Sequence, residues 1–471
     1  MDRRNRSGVM TNRILPALAG GIGCMVAAFA CNAVMAADGD VDAGFGTGGI
    51  ATTGLTAQGF QLPAKPVVLA DGRILVCSSV STGGPSGVDF FLARFNADGT
   101  PDTTFSFDGK VTIDFGSRDD VCNALAVQAD GKILAVGSSA PAMSLNSDFA
   151  IARLNADGSP DATLGGGSGQ TLIPFDVGGN DSDIAGAVAI QADGRILAAG
   201  WVVTDATGFD FAVVRLLSDG SRDTTFNSTG RVTVGFDFPG TNGIDQADAI
   251  AIDDQGRIVL GGVAEVAPGS FDFALVRLLP TGQLDHSFDA DGRATLGFDL
   301  GNSNSDLSYQ TILQQDGRIV MVGAADTGVG GTQNNDVAIA RLLPDGSPDG
   351  SFGIGGKVVV PFDLVTNASD VATGIVQDSA GRLVVVGAAI YDTSFDSRSF
   401  ALRLLGNGIL DGGFGSFGKK TYAFGGTADL FLGVALQGTQ IIASGQLANA
   451  PDYDNFVTRL DVDLLFANGF D

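Results

Sequence analysis

The chain has 471 residues, with 53 acidic against 27 basic groups and a single histidine, for a formal charge of −26. That balance argues against a nucleic-acid partner, whose phosphates would be repelled, and the lone His286 leaves no material for a His-based triad or a zinc site. All but one of the acidic residues are Asp, the exception being Glu265, and 69 residues are Gly; Asp bonds its own nearby backbone where Glu favours helices, so the composition describes strands joined by tight turns.

The first element is a leader. Arg3, Arg4, Arg6 and Arg13 precede an apolar stretch from Ile14 to Ala30, and Val34-Met35-Ala36 offers a cleavage site. Residues 1–36 therefore read as a secretory signal peptide, with a secreted, periplasmic or cell-surface location expected for the rest. Gly20, Gly21 and Gly23 interrupt the run, so no permanent membrane span is expected. Removing the leader leaves 23 basic and 52 acidic residues, a charge of −29, with Cys77 and Cys122 as the remaining cysteines. In an oxidising compartment these two can pair; two buried thiols fit the sequence equally well.

From residue 37 to 460 one pattern recurs. An apolar run leads to an Ala-Asp-Gly-Arg-like turn, a second apolar run ends in Gly, and a variable loop precedes Asp-Phe-Ala-x-x-Arg-Leu. The turn glycines Gly72, Gly131, Gly194, Gly256, Gly317 and Gly381 are spaced by 59, 63, 62, 61 and 64 residues, with a worn seventh copy at Gly438. Such a period marks stacked copies of one supersecondary unit. In the second copy the predicted strands are Lys110–Phe115, Cys122–Gln128, Lys132–Gly137 and Phe149–Asn155. Four strands in about 60 residues make one antiparallel blade, and seven copies predict an all-β, seven-bladed propeller. The segment Asp40–Gly46 matches the Asp-x-x-Phe piece that follows every other fourth strand and that the last copy lacks. The N-terminus is thus expected to close the ring, leaving 461–471 as a tail.

The segment Asp89–Phe105 (DFFLARFNADGTPDTTF), followed by a Gly-Lys-Val strand start and by QADGKILAVG at 128–137, resembles the delta-60 repeat of secreted and surface bacterial proteins. The resemblance implies a β-propeller and brings no activity or ligand with it.

Inside the repeat, Asn96-Ala-Asp98-Gly-Thr-Pro-Asp102 and Asn155-Ala-Asp157-Gly-Ser-Pro-Asp161 follow the spacing of calcium loops of integrin-type propellers, except that Arg94 and Arg153 stand where the first ligand belongs. A guanidinium there removes an oxygen and adds positive charge where the ion would sit. Calcium in these loops is the lesser reading. The favoured one is a built-in cation, with ion pairs Arg94–Asp102, Arg153–Asp161, Arg215–Asp223, Arg277–Asp285, Arg341–Asp349 and Arg403–Asp411, and Arg459 reaching Asp42 across the closure. Phe149, Ile151 and Arg153 share one strand face, which places the charge in apolar surroundings and demands a partner.

Strand alternation sends the nearly constant Asp-Gly turns to one end of the ring. The variable loops, Ser78–Val88, Ser138–Ser147, Trp201–Gly208, Val263–Ser270, Ala324–Asn335 and Ala388–Arg398, go to the other. Asp176, Asp237, Asp299 and Asp363 end first strands on that loop face, with Asp183, Asp306 and Asp370 a few residues on, and Trp201, Tyr391 and Tyr453 lie nearby. A rim of carboxylates could hold a cation or a basic partner; capping of turns by Asp is the plainer reading. The expectation is a monomeric, noncatalytic scaffold without a cofactor, binding a protein or glycan at the cell surface through this face. An Asp-dependent hydrolase or lyase acting on extracellular glycans and a calcium-binding adhesion protein are the alternatives.

Overall fold

In the computed structural model the described residues are 38–462, apart from 55–64, 82–86, 117, 142–143, 145, 176, 178–181, 205–207, 302, 331–333, 366–367, 392–395 and 450–451. The leader and the tail 463–471 lie outside them.

Seven four-stranded antiparallel sheets form, six of them in sequential order. The second is typical: Arg118–Val127 is innermost, then Ile133–Pro141, Asp148–Leu154 and the outermost Gln170–Ile173. Lys110–Ile113 pairs with Val88–Phe95 of the first blade, so the unit read from sequence is displaced by one strand from the structural blade. In the seventh blade the outermost strand is the N-terminal Ile50–Thr52, paired with Asp452–Leu460. That exchange ties the first strand to the last and removes the open edges of the sheet.

Middle strands such as Ile258–Ala267 and Ser270–Leu278 are buried along most of their length, because each is covered on both faces by neighbouring blades. Phenylalanines fill the seams. Phe211 meets Phe236 with centroids 5.6 Å apart, and Phe273 meets Phe298 at 5.3 Å, both edge to face.

The glycine that closes the second apolar run is not a strand end. Ile258–Ala267 continues five residues past Gly262. A Cβ on Gly262 would lie 1.9 Å from the Gln246 carbonyl oxygen, because the facing innermost strand bulges there, between Ala247 and Ala249. Glycine is required by close backbone approach. The six described innermost strands of blades two to seven all carry this bulge at the same place.

Cys77 and Cys122 form a disulfide joining the second strand of blade one to the innermost strand of blade two. It staples the place where the described innermost strand is shortest, Val67–Val68. Replacing both cysteines by alanine is expected to cost about 2–4 kcal/mol, as for a crosslink closing a medium-length loop. Chemical unfolding of the oxidised protein against the double variant measures it.

Candidate functional site

The end bearing the Asp-Gly turns is occupied by structural ion pairs. Nε of each arginine lies on its aspartate: Arg94–Asp102 at 2.7 Å, Arg153–Asp161 at 2.6 Å, Arg215–Asp223 at 2.8 Å, Arg277–Asp285 at 2.7 Å, Arg341–Asp349 at 2.8 Å and Arg403–Asp411 at 2.7 Å. Arg459 reaches Asp42 at 2.5 Å. In five of these arginines Nη1 crosses to the next blade, while in most Nη2 stays on a hydroxyl of its own loop, as Arg215 does on Thr225. Arg215 donates to the Pro280 carbonyl at 2.6 Å, Arg341 to Gly406 at 2.5 Å and Arg459 to Ala97 at 2.8 Å. Every one of these guanidinium groups except that of Arg153, whose loop carries Leu164 instead, also lies over a phenylalanine, as Arg277 does over Phe288 at 4.6 Å.

Calcium does not fit these loops. The guanidinium fills the first ligand position, Asn96 donates to Thr100, and Asp98 accepts from the Thr100 amide and hydroxyl. Burial alone would raise the Asp102 pKa; the Thr104 hydrogen bonds, Arg73 and the Arg94 charge outweigh it and hold it at about 2. His286 is exposed on its turn.

The loop face holds the acid, but not as one rim. Asp237, Asp299 and Asp363 are exposed, each at positive φ (48°, 55° and 46°), a backbone region that Asp tolerates better than most residues. Each stands at a separate seam between blades. There it joins an aspartate starting a third strand or lying near its start, and a fully buried one starting the next innermost strand. The sets are Asp210, Asp237 and Asp245; Asp272, Asp299 and Asp306; and Asp336, Asp363 and Asp370; in each, burial and then the charge of a neighbouring carboxylate raise the third-strand and innermost aspartates. At the first seam Asp114, one residue before its Phe, replaces the position after it, and carboxylate oxygens of Asp89, Asp114 and Asp120 lie within 4.8 Å of one another. Burial, then the neighbouring carboxylates, push Asp210 up to about 6 and Asp370 to about 7. Asp176 lies outside the described residues.

Each buried aspartate has a structural duty on one oxygen. Asp245 Oδ2 accepts the Phe236 N–H at 2.6 Å and Asp370 Oδ2 the Phe362 N–H at 2.6 Å. The other oxygen, Oδ1, of Asp245, Asp306 and Asp370 has no hydrogen-bond partner.

Inside the ring is a cavity of 1190 Å³, walled by the innermost strands and reaching Trp201, Ile390 and Leu430 near their loop-face ends. The bulges decide its chemistry. A bulge leaves one residue unpaired and re-aims its side chain, and the unpaired residues are Asn123, Gly186, Asp248, Tyr309, Thr373 and Leu432. Sister copies elsewhere repeat one another, whereas this layer differs in every described blade. Two members tether the wall: Asn123 donates to the Ala185 carbonyl at 2.9 Å and Thr373 to Phe431 at 2.7 Å. Burial pushes Asp248 up to about 7, and burial together with the Asp248 charge raises Tyr309. Lys65 is open to channel water yet enclosed by protein, and that enclosure lowers it to about 8.

Of the predicted contact residues, Trp201 lines the cavity and packs on Phe209 at 4.6 Å. Tyr391 lies under Arg398, 4.3 Å from ring centre to guanidinium. The Tyr453 side chain lies outside the described structure. Sequence reasoning placed all variation in the loops and missed the bulge layer. Aligning the copies would have exposed it as a strand position without a preferred residue type.

These features define a seven-bladed propeller closed by its N-terminal strand, with an asymmetric channel in a symmetric ring. Residues 69–105, 128–164, 191–226, 256–288 and 314–352 match the family described as a domain of unknown function (DUF5122) beta-propeller, so the chain carries repeats of that kind. No curated protein matches the sequence. Among solved structures, a polysaccharide lyase of a new family, an ulvan lyase, is 10% identical over 85% of this chain and 94% of its own, with a TM-score of 0.43. The β-propeller domain of the Trilobed protease from Pyrococcus furiosus is 10% identical over 87% and 95%, TM-score 0.41. Likenesses this remote carry no inference about chemistry. No helix among the described residues is long and apolar enough to cross a membrane.

Proposed function

We propose that this is a secreted, noncatalytic binding propeller of the delta-60 type, taking a neutral glycan strand at the cell surface into the channel from the loop face. The observation that carries the reading is the bulge layer, where the blades diverge inside a cavity of ligand size. Trp201 and Tyr309 offer apolar faces, and Asn123, Gln310 and Thr373 offer amides and a hydroxyl. A charge of −29 on the mature chain disfavours an acidic ligand. The Cys77–Cys122 disulfide supports an oxidising, extracytoplasmic setting.

Binding to a panel of immobilised neutral glycans tests it. Trp201→Ala and Tyr309→Ala are each expected to weaken binding about tenfold or more, a loss of ~1.4 kcal/mol or above. Equal binding by both variants and the parent removes the channel from the proposal.

A hydrolase or lyase is the second reading, favoured by one observation: Asp248, raised to about 7, acts electrostatically on Tyr309 of the next blade, an acid tuned toward neutral pH as general acid–base work requires. A glycan-cleavage screen with Asp248→Asn as control separates the two readings.

A further inference from the structure

Among the described residues lining the channel, Lys65 is the one cation and Asp248 the one carboxylate. They stand on different blades. Lys65 comes just before Val67–Val68 of blade one, whereas Asp248 belongs to blade four. Lys65 makes no ion pair and no hydrogen bond among the described residues, and no neighbouring charge acts on it.

The sister copies show that the fold asks for no lysine here. Val68 pairs with Ile74 as Val127 does with Ile133, so Lys65 occupies the place of Ala124, and in the other blades of Ala187, Ala249, Gln310, Gly374 and Gly433. Five of these six are Ala or Gly, which leaves the four-carbon stem of the lysine among short side chains. Gln310, the exception, has a structural duty, its side-chain oxygen accepting the Ile375 N–H at 2.7 Å. Lys65 has none, although its backbone is closely held: a Cβ on Gly433 would stand 2.5 Å from Lys65 Cα.

Four of the other five lysines are engaged. Lys132 lies 3.3 Å from Asp161, Lys419 donates to the Pro361 carbonyl at 2.8 Å, Lys357 donates to the Gly297 carbonyl and Lys420 pairs with Asp40. Enclosure without a carboxylate disfavours the charged form of Lys65 and brings it to about 8. About a tenth is then free amine at pH 7, against less than about a thousandth for a lysine at its ordinary value. A desolvated lysine of this kind is a nucleophile toward carbonyl carbon.

We propose that Lys65 is a covalent capture site for aldehydes, which enter the channel and are held there as an imine. The aldehyde carbon is carried either by a small free aldehyde or by the open-chain reducing end of a glycan; the second source rests on the glycan reading above, and the first does not. The Nζ lone pair adds to the carbonyl carbon, and a proton passes from nitrogen to oxygen to give the carbinolamine. Its hydroxyl departs as water while the C=N bond forms, so each imine releases one water and nothing is oxidised or reduced.

Reductive trapping tests it. The full chain is incubated at pH 7 with glycolaldehyde and cyanoborohydride, which reduces an imine to a stable secondary amine, and the modified lysines are mapped by mass spectrometry. Lys65 is expected to be labelled at least about tenfold faster than any other lysine, and the ratio should shrink as pH rises toward about 10, where the others lose their protons as well. Lys65→Met and Lys65→Arg, the latter keeping the charge, should both lose the fast label while their thermal unfolding stays that of the parent. A neutral reducing trisaccharide in place of glycolaldehyde separates the sources, with its alditol, which has no carbonyl, as the blank. Label at Lys65 assigns the reducing end as a ligand; no label beside a positive glycolaldehyde result upholds capture of small aldehydes and counts against the glycan reading alone. Labelling of Lys65 no faster than of the other lysines, or an equally fast label in both variants, overturns the proposal.

Discussion

Replacing Asp285 by alanine lowers the unfolding free energy by about 3–5 kcal/mol, because it strands a buried guanidinium without its carboxylate. Arg277 is 3% exposed, bonds Asp285 at 2.7 Å and Ser287 at 3.0 Å, and also donates to the Pro344 carbonyl of blade five. Arg257 lies 3.6 Å from Asp285, so without the aspartate two cations face each other at one seam. The reverse change, Arg277→Ala, is expected to cost less, since Arg257 remains near the stranded carboxylate, and it opens the blade four–five seam by removing the crossing bond. Denaturant unfolding of both variants and the double variant gives the coupling directly. A cost below 1 kcal/mol for Asp285→Ala, the range of exposed pairs, would mean that the arginines decorate the seams without holding them.

The same arithmetic explains why the repeat keeps Arg where a calcium loop would keep an acid. One covalently attached cation serves both the loop within the blade and the turn of the next, so assembly of the ring does not wait on an ion. Closure uses the same device. Arg459 takes Asp42, Arg403 takes Asp38 at 2.6 Å, and the Tyr422 hydroxyl donates to the Gly39 carbonyl at 2.8 Å.

The period of the turn glycines and the eight-residue spacing between Arg and Asp made the architecture and the ion pairs legible before any coordinates. A repeat has no phase, however, so nothing in Lys110–Ile113 itself says that it hydrogen-bonds backward to Val88–Phe95. Gly262 reads as a terminator because glycine commonly is one; its actual cause, a carbonyl from the facing bulge, lies across the sheet. The bulge also breaks the strand alternation from which inward residues are read, and that hid Asp248 and Tyr309. Asp237 was visible as a loop-face acid. Its convergence with Asp210 and Asp245 depends on two blades meeting, which one copy of the repeat cannot display.

Stability of the metal-free protein is expected to fall as pH rises from about 4 to about 7. Burial, aided by neighbouring carboxylates and partly offset by hydrogen bonds to the ionised form, raises Asp210, Asp245 and Asp272 to about 6 and Asp370 to about 7, and burial raises the channel residue Asp248 to about 7. The folded state therefore binds more protons than the unfolded chain, whose aspartates titrate near 3.9, and the slope of unfolding free energy with pH is negative across that window. A shift of about two units corresponds to about 3 kcal/mol for one group, and carboxylates sharing a seam titrate together and add to less than their sum. Two other sets of groups act outside the window. Asp102 and Asp349, held at about 2, contribute stability that is complete above about pH 4 and is lost only as pH falls through 2. Lys65, lowered to about 8, makes stability rise with pH between about 8 and its ordinary 10.5. Lys357 and Lys419 soften the change at their own seams, and Asp248→Asn, which removes an isolated acid raised to about 7 by burial alone, is expected to flatten the profile most. Urea unfolding at pH 5 and 7.5 in a chelator reads the effect as a lower midpoint at the higher pH. A midpoint that stays level or rises would show that these buried oxygens are not held at the cost of their charge.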